Sequence, residues 1–295
     1  MTALPDRLLR RLEWRVIRRL DGRLQGAHRS VFRGSGIDVD GLRAYAPHDD
    51  VRHIDWNVTA RLDEPHVKVY AEDRDLTAWL VLDQSASMRF GGTAHGKDSV
   101  LTDLAICLAR LFTRGGNRVG AILFDNGRQR VVPPRGGRDQ VLRLADEITR
   151  PGPAGSGGTV TDLDAMLRLA AATARRRALI FVISDFIADR DWEPALTRLG
   201  MRHEVVTVRV VHPAELDLPD LGLVLVEDAE TGEQVLADTG DPLFRERLRA
   251  EIDARERAVT EAMRRAGVAA HVVRTDDDLT AALVEMARRS KRGRR

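Results

Sequence analysis

The sequence predicts a doubly wound α/β protein built on a mostly parallel sheet. Three observations point there. Short, nearly unbroken apolar runs, "LTAWLVLD" (76–83) and "ALIFVISD" (178–185), have the character of strands buried on both faces. Segments of helical periodicity stand between such runs. The alternation then repeats from about residue 76 almost to the end of the chain, as crossover units require.

Residues 5–21 read as an amphipathic helix. Leu8, Leu9, Leu12, Val16, Ile17 and Leu20 form an apolar side, and Arg7, Arg10, Arg11, Arg15, Arg18 and Arg19 fill much of the rest. Packing on its own domain is expected, with a partner or an anionic membrane surface as the alternative. Residues 30–75 mix Gly, Pro and charges with short apolar pieces. Short strands and turns are expected there, including "HVKVYAED", with Val67 and Val69 on one face. This stretch lacks an apolar pattern sufficient for a core. The domain division is therefore 1–75, a helix and decorating segment packed on the core, and 76–290, the α/β domain.

Within that domain, "LTAWLVLD" is the first strand. A helix over "DSVLTDLAICLARLFTRGG" follows, with Leu101, Leu104, Leu108 and Leu111 along one side and Gly115 at its stop. "NRVGAILFD" and "GRQRVVPP" are strands, and "GRDQVLRLADEITR" and "TDLDAMLRLAAATARRR" are helices. The strand "ALIFVISD", a short helix near "DWEPALTRLG" and the strand "HEVVTVRVV" come next. "GLVLVEDAETGEQVLAD" reads as a hairpin turning at "ETGE". A long helix (241–267), the strand "VAAHVVRT" and a last helix (276–290) close a Rossmann-like, doubly wound arrangement.

Composition narrows the function classes. The 295 residues are 43% hydrophobic and 31% charged, a soluble globular balance. Only 4% are aromatic, which argues against stacking many bases or sugars. One cysteine, Cys107, excludes an internal disulfide framework and a cysteine zinc site, and its setting in "LAICLARLF" makes it a small core residue. No run approaches the roughly 18–20 apolar residues of a membrane span, and no signal peptide is visible. A cytoplasmic setting is expected. The formal charge of +2 spreads over the chain, and the tail "RRSKRGRR" reads as solvated rather than as a nucleic-acid contact.

The chemistry collects where strands end. In open α/β sheets, ligands bind at the carboxyl ends of strands beside the switch in strand order. Asp83 ends one apolar strand and Asp185 another. Ser85 and Ser87 follow Asp83 at alternate positions, and "GSGGTVTDLD" offers Thr159, Thr161 and Asp162. Ser and Asp between a strand and a helix are ordinary caps and turn formers. The competing reading is convergence on one ion. Three loops carrying oxygen groups suit Mg²⁺, Mn²⁺ or Ca²⁺ better than zinc.

Other signals are weaker. "GGTAHGKDS" holds Gly91, Gly96 and Lys97 at nearly phosphate-loop spacing, but Asp98 stands where a hydroxyl should touch Mg²⁺. The better reading is a loop leading into a helix capped by Asp98 or Ser99. His48, His53 and His66 lack helical metal-ligand spacing and read as structural. Ser85 has no evident His partner for nucleophilic catalysis. Asp83 as a phosphotransfer nucleophile stays open, although such sites want a second Asp where this chain has Ser85.

"DQSAS", then "GGT", then "ISD" resembles the metal-ion-dependent adhesion site of von Willebrand factor type A domains. Asp83, Ser85, Ser87, Thr159 and Asp185 match its pattern in order. With "LRAYAPHDDVRHIDWNVTARLDEPHVKVYAED" before it, the sequence resembles the bacterial domain of unknown function 58 family over about residues 30–210. That family has Gly where this chain has His48. Asp55 and Trp56 match its upstream segment, and they are expected to brace it against the sheet. The resemblance implies a non-enzymatic adaptor or chaperone-like module that binds a divalent cation, Mg²⁺ first, at those five residues. It also implies a MoxR-type AAA+ ATPase as partner and a client protein offering an acidic residue. The alternative is a metal-dependent phosphohydrolase using Asp83.

Overall fold

The computed structural model describes residues 39–46, 51, 54–62, 64–70, 76–91, 96–125, 128–150, 161–188, 191–217, 220–228 and 232–292. The expected helix at 5–21, His48, His53, Thr159, part of the 91–99 loop, the tip of "ETGE" and the last three residues lie outside these.

The central sheet has six strands. They are β3 (Thr77–Asp83), β4 (Arg118–Asp125), β5 (Arg128–Arg135), β6 (Leu179–Ser184), β7 (Glu204–Val211) and β10 (Ala269–Arg274). Their order is β10-β7-β6-β3-β4-β5. All neighbours are parallel except β4 and β5, which pair antiparallel. This is the predicted doubly wound, mostly parallel class.

Alternation along β3 shows why both faces are covered. Ala78, Leu80 and Leu82 point into one apolar cluster with α2 (Lys97–Arg114), α3 (Arg138–Thr149) and the last helix, α8 (Leu279–Arg292). Trp79 and Val81 point into a second cluster with α4 (Leu163–Thr173), α5 (Glu193–Arg202) and α7 (Pro242–Arg265). A strand packed on both sides must be apolar at every position, which is the run seen in the sequence. Cys107 is buried in the first cluster, and burial raises its thiol pKa far above the ordinary range.

The helices end as their residues dictate. Gly115 caps α2 at its C-terminus, as expected. The N-terminus of α2 differs from expectation: Gly96 is the cap and makes no side-chain cap bond, while Asp98 and Ser99 lie inside the first turn, where Asp98 Oδ1 accepts the N–H of Ser99 at 2.7 Å. A four-residue helix, α6 (Pro213–Leu216), follows β7 and has no sequence period long enough to announce it. β8 (Leu223–Glu227) and β9 (Gln234–Asp238) form the predicted hairpin as a separate two-stranded sheet.

Upstream, β1 (Val39–Ala44) and β2 (His66–Tyr70) pair antiparallel. Between them lies a helix, α1 (Trp56–Leu62), where only strands and turns were expected. Asp55 explains it, because its Oδ1 accepts the N–H groups of Asn57 at 3.0 Å and Val58 at 3.2 Å, a helix N-cap. Asp55 therefore serves the helix, and Trp56, 68% exposed, does not brace the segment against the sheet. Among the described residues no helix is long and apolar enough to cross a membrane.

Candidate functional site

The strand order sets the site's place. After β3 the chain runs to β4 and β5 on one side, then crosses to β6 on the other. The sheet therefore reverses its winding between β3 and β6, and the carboxyl ends of these two strands are where open α/β sheets bind ligands. Asp83 is the last residue of β3, and Asp185 directly follows β6. Both are fully buried.

The two strand ends are tied together. Ser184 Oγ donates to Asp83 Oδ2 at 2.6 Å, and the N–H of Ser85 donates to Asp83 Oδ1 at 3.0 Å. The hydroxyls of Ser85 and Ser87 lie 3.0 Å apart. The alternate spacing in "DQSAS" thus folds Asp83, Ser85 and Ser87 into one turn, with Ser87 opening a short 3-10 helix (Ser87–Arg89).

Asp185 is held just as firmly. Its Oδ1 accepts the N–H of Ile187 at 3.0 Å, and its Oδ2 accepts from Lys97 Nζ at 2.8 Å. Arg209 Nε donates to its carbonyl oxygen at 2.9 Å, while the guanidinium grips Glu256 with two further bonds. Phe186 comes next with φ +58°, the one non-glycine residue at positive φ among the described residues. A bulky residue there is strained, and its N–H is fixed by Ser184 Oγ at 3.0 Å. The loop after β6 is locked in shape.

The electrostatics are unbalanced at Asp83. Burial first, and the charge of Asp185 second, push its pKa up from 3.8 to about 7, against the lowering effect of bonds from Ser184 and Ser85. A buried carboxyl so poor in positive partners suits an added cation. Hard oxygen donors from Asp83, Ser85 and Ser87 suit a divalent ion on the same grounds. Asp185 fits less simply, since an ammonium already occupies one oxygen. Among the described residues no group of three or more His, Cys, Asp or Glu side chains is placed to hold an ion.

Of the five predicted site residues, four therefore meet at the switch point, and Thr159 lies outside the described residues. Thr161 is buried nearby in sequence, and Asp162 caps α4 through the N–H of Ala165 at 2.9 Å. His66, read as structural, bonds Glu64 O through Nδ1 at 2.8 Å.

Sequence reasoning missed three residues. Ser184 inside "ISD" stands beside the acid that carries the signal. Lys97 lies in the phosphate-loop-like stretch, whose glycines point to a different chemistry. Glu215, whose Oε1 accepts from Lys97 Nζ at 2.5 Å, carried no motif. One signal for Lys97 was available: a lysine in the first turn of a helix opposes the helix dipole and calls for acids nearby.

Fold and cleft together define a doubly wound α/β protein with an acid and hydroxyl site at its switch point. The chain belongs to the family described as protein of unknown function DUF58, whose model matches residues 41–259. It is 37% identical over 288 residues to the uncharacterized protein Rv1480 of Mycobacterium tuberculosis (strain ATCC 25618 / H37Rv), covering 97% of this chain and 89% of that one. It is 33% identical over 165 residues to the uncharacterized protein MAV169 of Mycobacterium avium, covering 55% of this chain and 95% of that one. Among solved structures it is similar to an aerotolerance-related membrane protein from Bacteroides fragilis, at 18% identity and TM-score 0.47, covering 74% of this chain and 99% of that one. It is also similar to the SpRpn10 VWA domain, at 11% identity and TM-score 0.40, covering 72% and 94%. These structural likenesses are remote, and the fold assignment rests on the strand order itself.

Proposed function

We propose that this protein is a non-catalytic protein-interaction module whose switch-point cleft takes a divalent cation, with Mg²⁺ the first candidate and Mn²⁺ or Ca²⁺ the alternatives. Asp83, Ser85, Ser87, Thr159 and Asp185 supply the oxygens, some of them through water. The observation that carries the reading is Asp83. It is wholly buried, its pKa is raised by that burial first and by the charge of Asp185 second, and it is wrapped by the hydroxyl-bearing turn of Ser85 and Ser87.

The site's charge suits a protein partner. Asp83 and Asp185 balance the two charges of the ion, so a partner's Asp or Glu meets no net repulsion. Family kinship suggests the setting, with a MoxR-type AAA+ ATPase as partner and an acidic client, in the cytoplasm. Chemistry at Asp83 itself is disfavoured, because both of its oxygens are already engaged, Oδ2 by Ser184 Oγ and Oδ1 by the N–H of Ser85.

The test is a pull-down from the native cell with wild type and Asp83→Asn, each with Mg²⁺ and with chelator. Partners retained only by wild type with Mg²⁺ support the reading. The same partners retained by Asp83→Asn in chelator would show that docking lies elsewhere, for example on the Arg-rich stretch near Arg11 and Arg15.

A further inference from the structure

Lys97 is the least expected side chain in this cleft. It opens α2, where the helix dipole disfavours a cation, yet it is wholly buried. Its Nζ bridges two acids from different strand ends, Asp185 Oδ2 at 2.8 Å after β6 and Glu215 Oε1 at 2.5 Å beyond β7.

The enclosure around the ammonium is built from several elements. Glu215 is fixed from behind, its Oε2 accepting the N–H of His212 at 3.1 Å. His212 in turn accepts the N–H of Ala214 on Nδ1 at 3.2 Å. The ring of Phe90 has its centroid 6.0 Å from Lys97 Nζ and meets the His212 ring edge-on at 5.2 Å. Gly91 has φ +100°, and a Cβ there would lie 2.5 Å from the His212 ring. Only glycine lets this loop close against His212.

We propose that Lys97 is a tethered cation that competes with the divalent ion for Asp185 and thereby sets the ion affinity of the cleft. This rests on the cation reading above. Both oxygens of Asp185 are engaged, one by the N–H of Ile187 and one by Lys97. An ion approaching Asp185 meets a positive charge already in contact with it, in a buried setting where like charges repel strongly. Glu215 supplies what the exchange needs. It is the second carboxylate on Lys97 and keeps the ammonium paired when Asp185 turns to the ion. Lys97 and Glu215 cancel each other, leaving Asp83 and Asp185 to match a divalent charge. Ion-free, Lys97 compensates Asp185.

The experiment is calorimetric titration of Mg²⁺ and Mn²⁺ into wild type, Lys97→Met and the double variant Lys97→Met/Glu215→Gln, with Asp83→Asn introduced into each as a control. The double variant removes one charge of each sign and stands in if the single variant does not fold. The expected result is at least tenfold tighter ion binding without Lys97, abolished by Asp83→Asn. That holds even if wild type itself binds too weakly to measure. Equal or weaker binding than a wild type that does bind would overturn the role of Lys97 and leave the cation reading standing. No binding by any folded variant would overturn both.

Discussion

Ser184 Oγ donates a 2.6 Å hydrogen bond to Asp83 Oδ2, and this bond joins β3 to β6 where the sheet reverses its winding. It continues the parallel β3–β6 pairing, which runs to Leu82 and Ile183, into the side chains at the strand ends. Because Ser184 Oγ also accepts the N–H of Phe186, a single hydroxyl holds both the acid and the strained turn. Ser184→Ala should cost about 1–3 kcal/mol, since it leaves a buried carboxyl and a buried N–H short of a partner. Urea unfolding measures this. An unchanged midpoint and slope would show that the bond contributes nothing.

The raised pKa of Asp83 fixes a direction for stability against pH. In chelator, the folded protein holds the Asp83 proton up to about pH 7, while the unfolded chain releases it near 3.8. Over that window the native state binds more protons, so this group's contribution to stability falls as pH rises and levels off above about 7. Comparing melting temperatures of wild type and Asp83→Asn across the window isolates the term. The variant should gain on wild type steadily from pH 4 to 7. A constant difference would contradict the raised pKa.

Lys97→Met should destabilise the ion-free protein by about 3–5 kcal/mol, the usual cost of removing one partner from a buried charge pair. Lys97→Met/Glu215→Gln should recover part of that loss, because only Asp185 then lacks its ammonium. Chemical denaturation in chelator reads both. A single variant as stable as wild type would mean that the ammonium does not compensate these acids.

No phosphomonoester turnover above trace contamination is expected with Mg²⁺ present. A steady rate abolished by Asp83→Asn would instead establish Asp83 as a reacting group. A screen with generic phosphomonoesters decides between them.

We expect the 30–75 segment to depend on the α/β core. Its sheet has two strands, too few for independent stability in water. Limited proteolysis followed by mass spectrometry should not yield a folded fragment of these residues. A stable, dispersed fragment would show an autonomous unit.

Much of the architecture was legible because it rests on local pattern. The β3 and β6 runs are apolar at successive positions because both sheet faces are covered. Leu101, Leu104 and Leu108 mark α2 by their spacing. The "DQSAS" turn could be read because its donors are near neighbours in sequence. The rest of the site depends on pairing across the fold. Lys97 meets Asp185 from 88 residues away and Glu215 from 118. No periodicity encodes such contacts, and the nearby glycines drew attention to a phosphate loop instead. Asp55 and Trp56 were misplaced for a related reason. Their match to a family segment gave no direction for the side chains, and Asp55 turned out to cap a helix too short to show a period.

The cation proposed above sits between the ends of β3 and β6, and anomalous diffraction from crystals equilibrated with Mn²⁺ locates it. A single strong peak is expected, with oxygens of Asp83, Ser85 or Ser87 at roughly 2.0–2.6 Å and Asp185 within direct or water-bridged reach. A cleft that stays without a peak at saturating Mn²⁺, in wild type and in Lys97→Met alike, would contradict it.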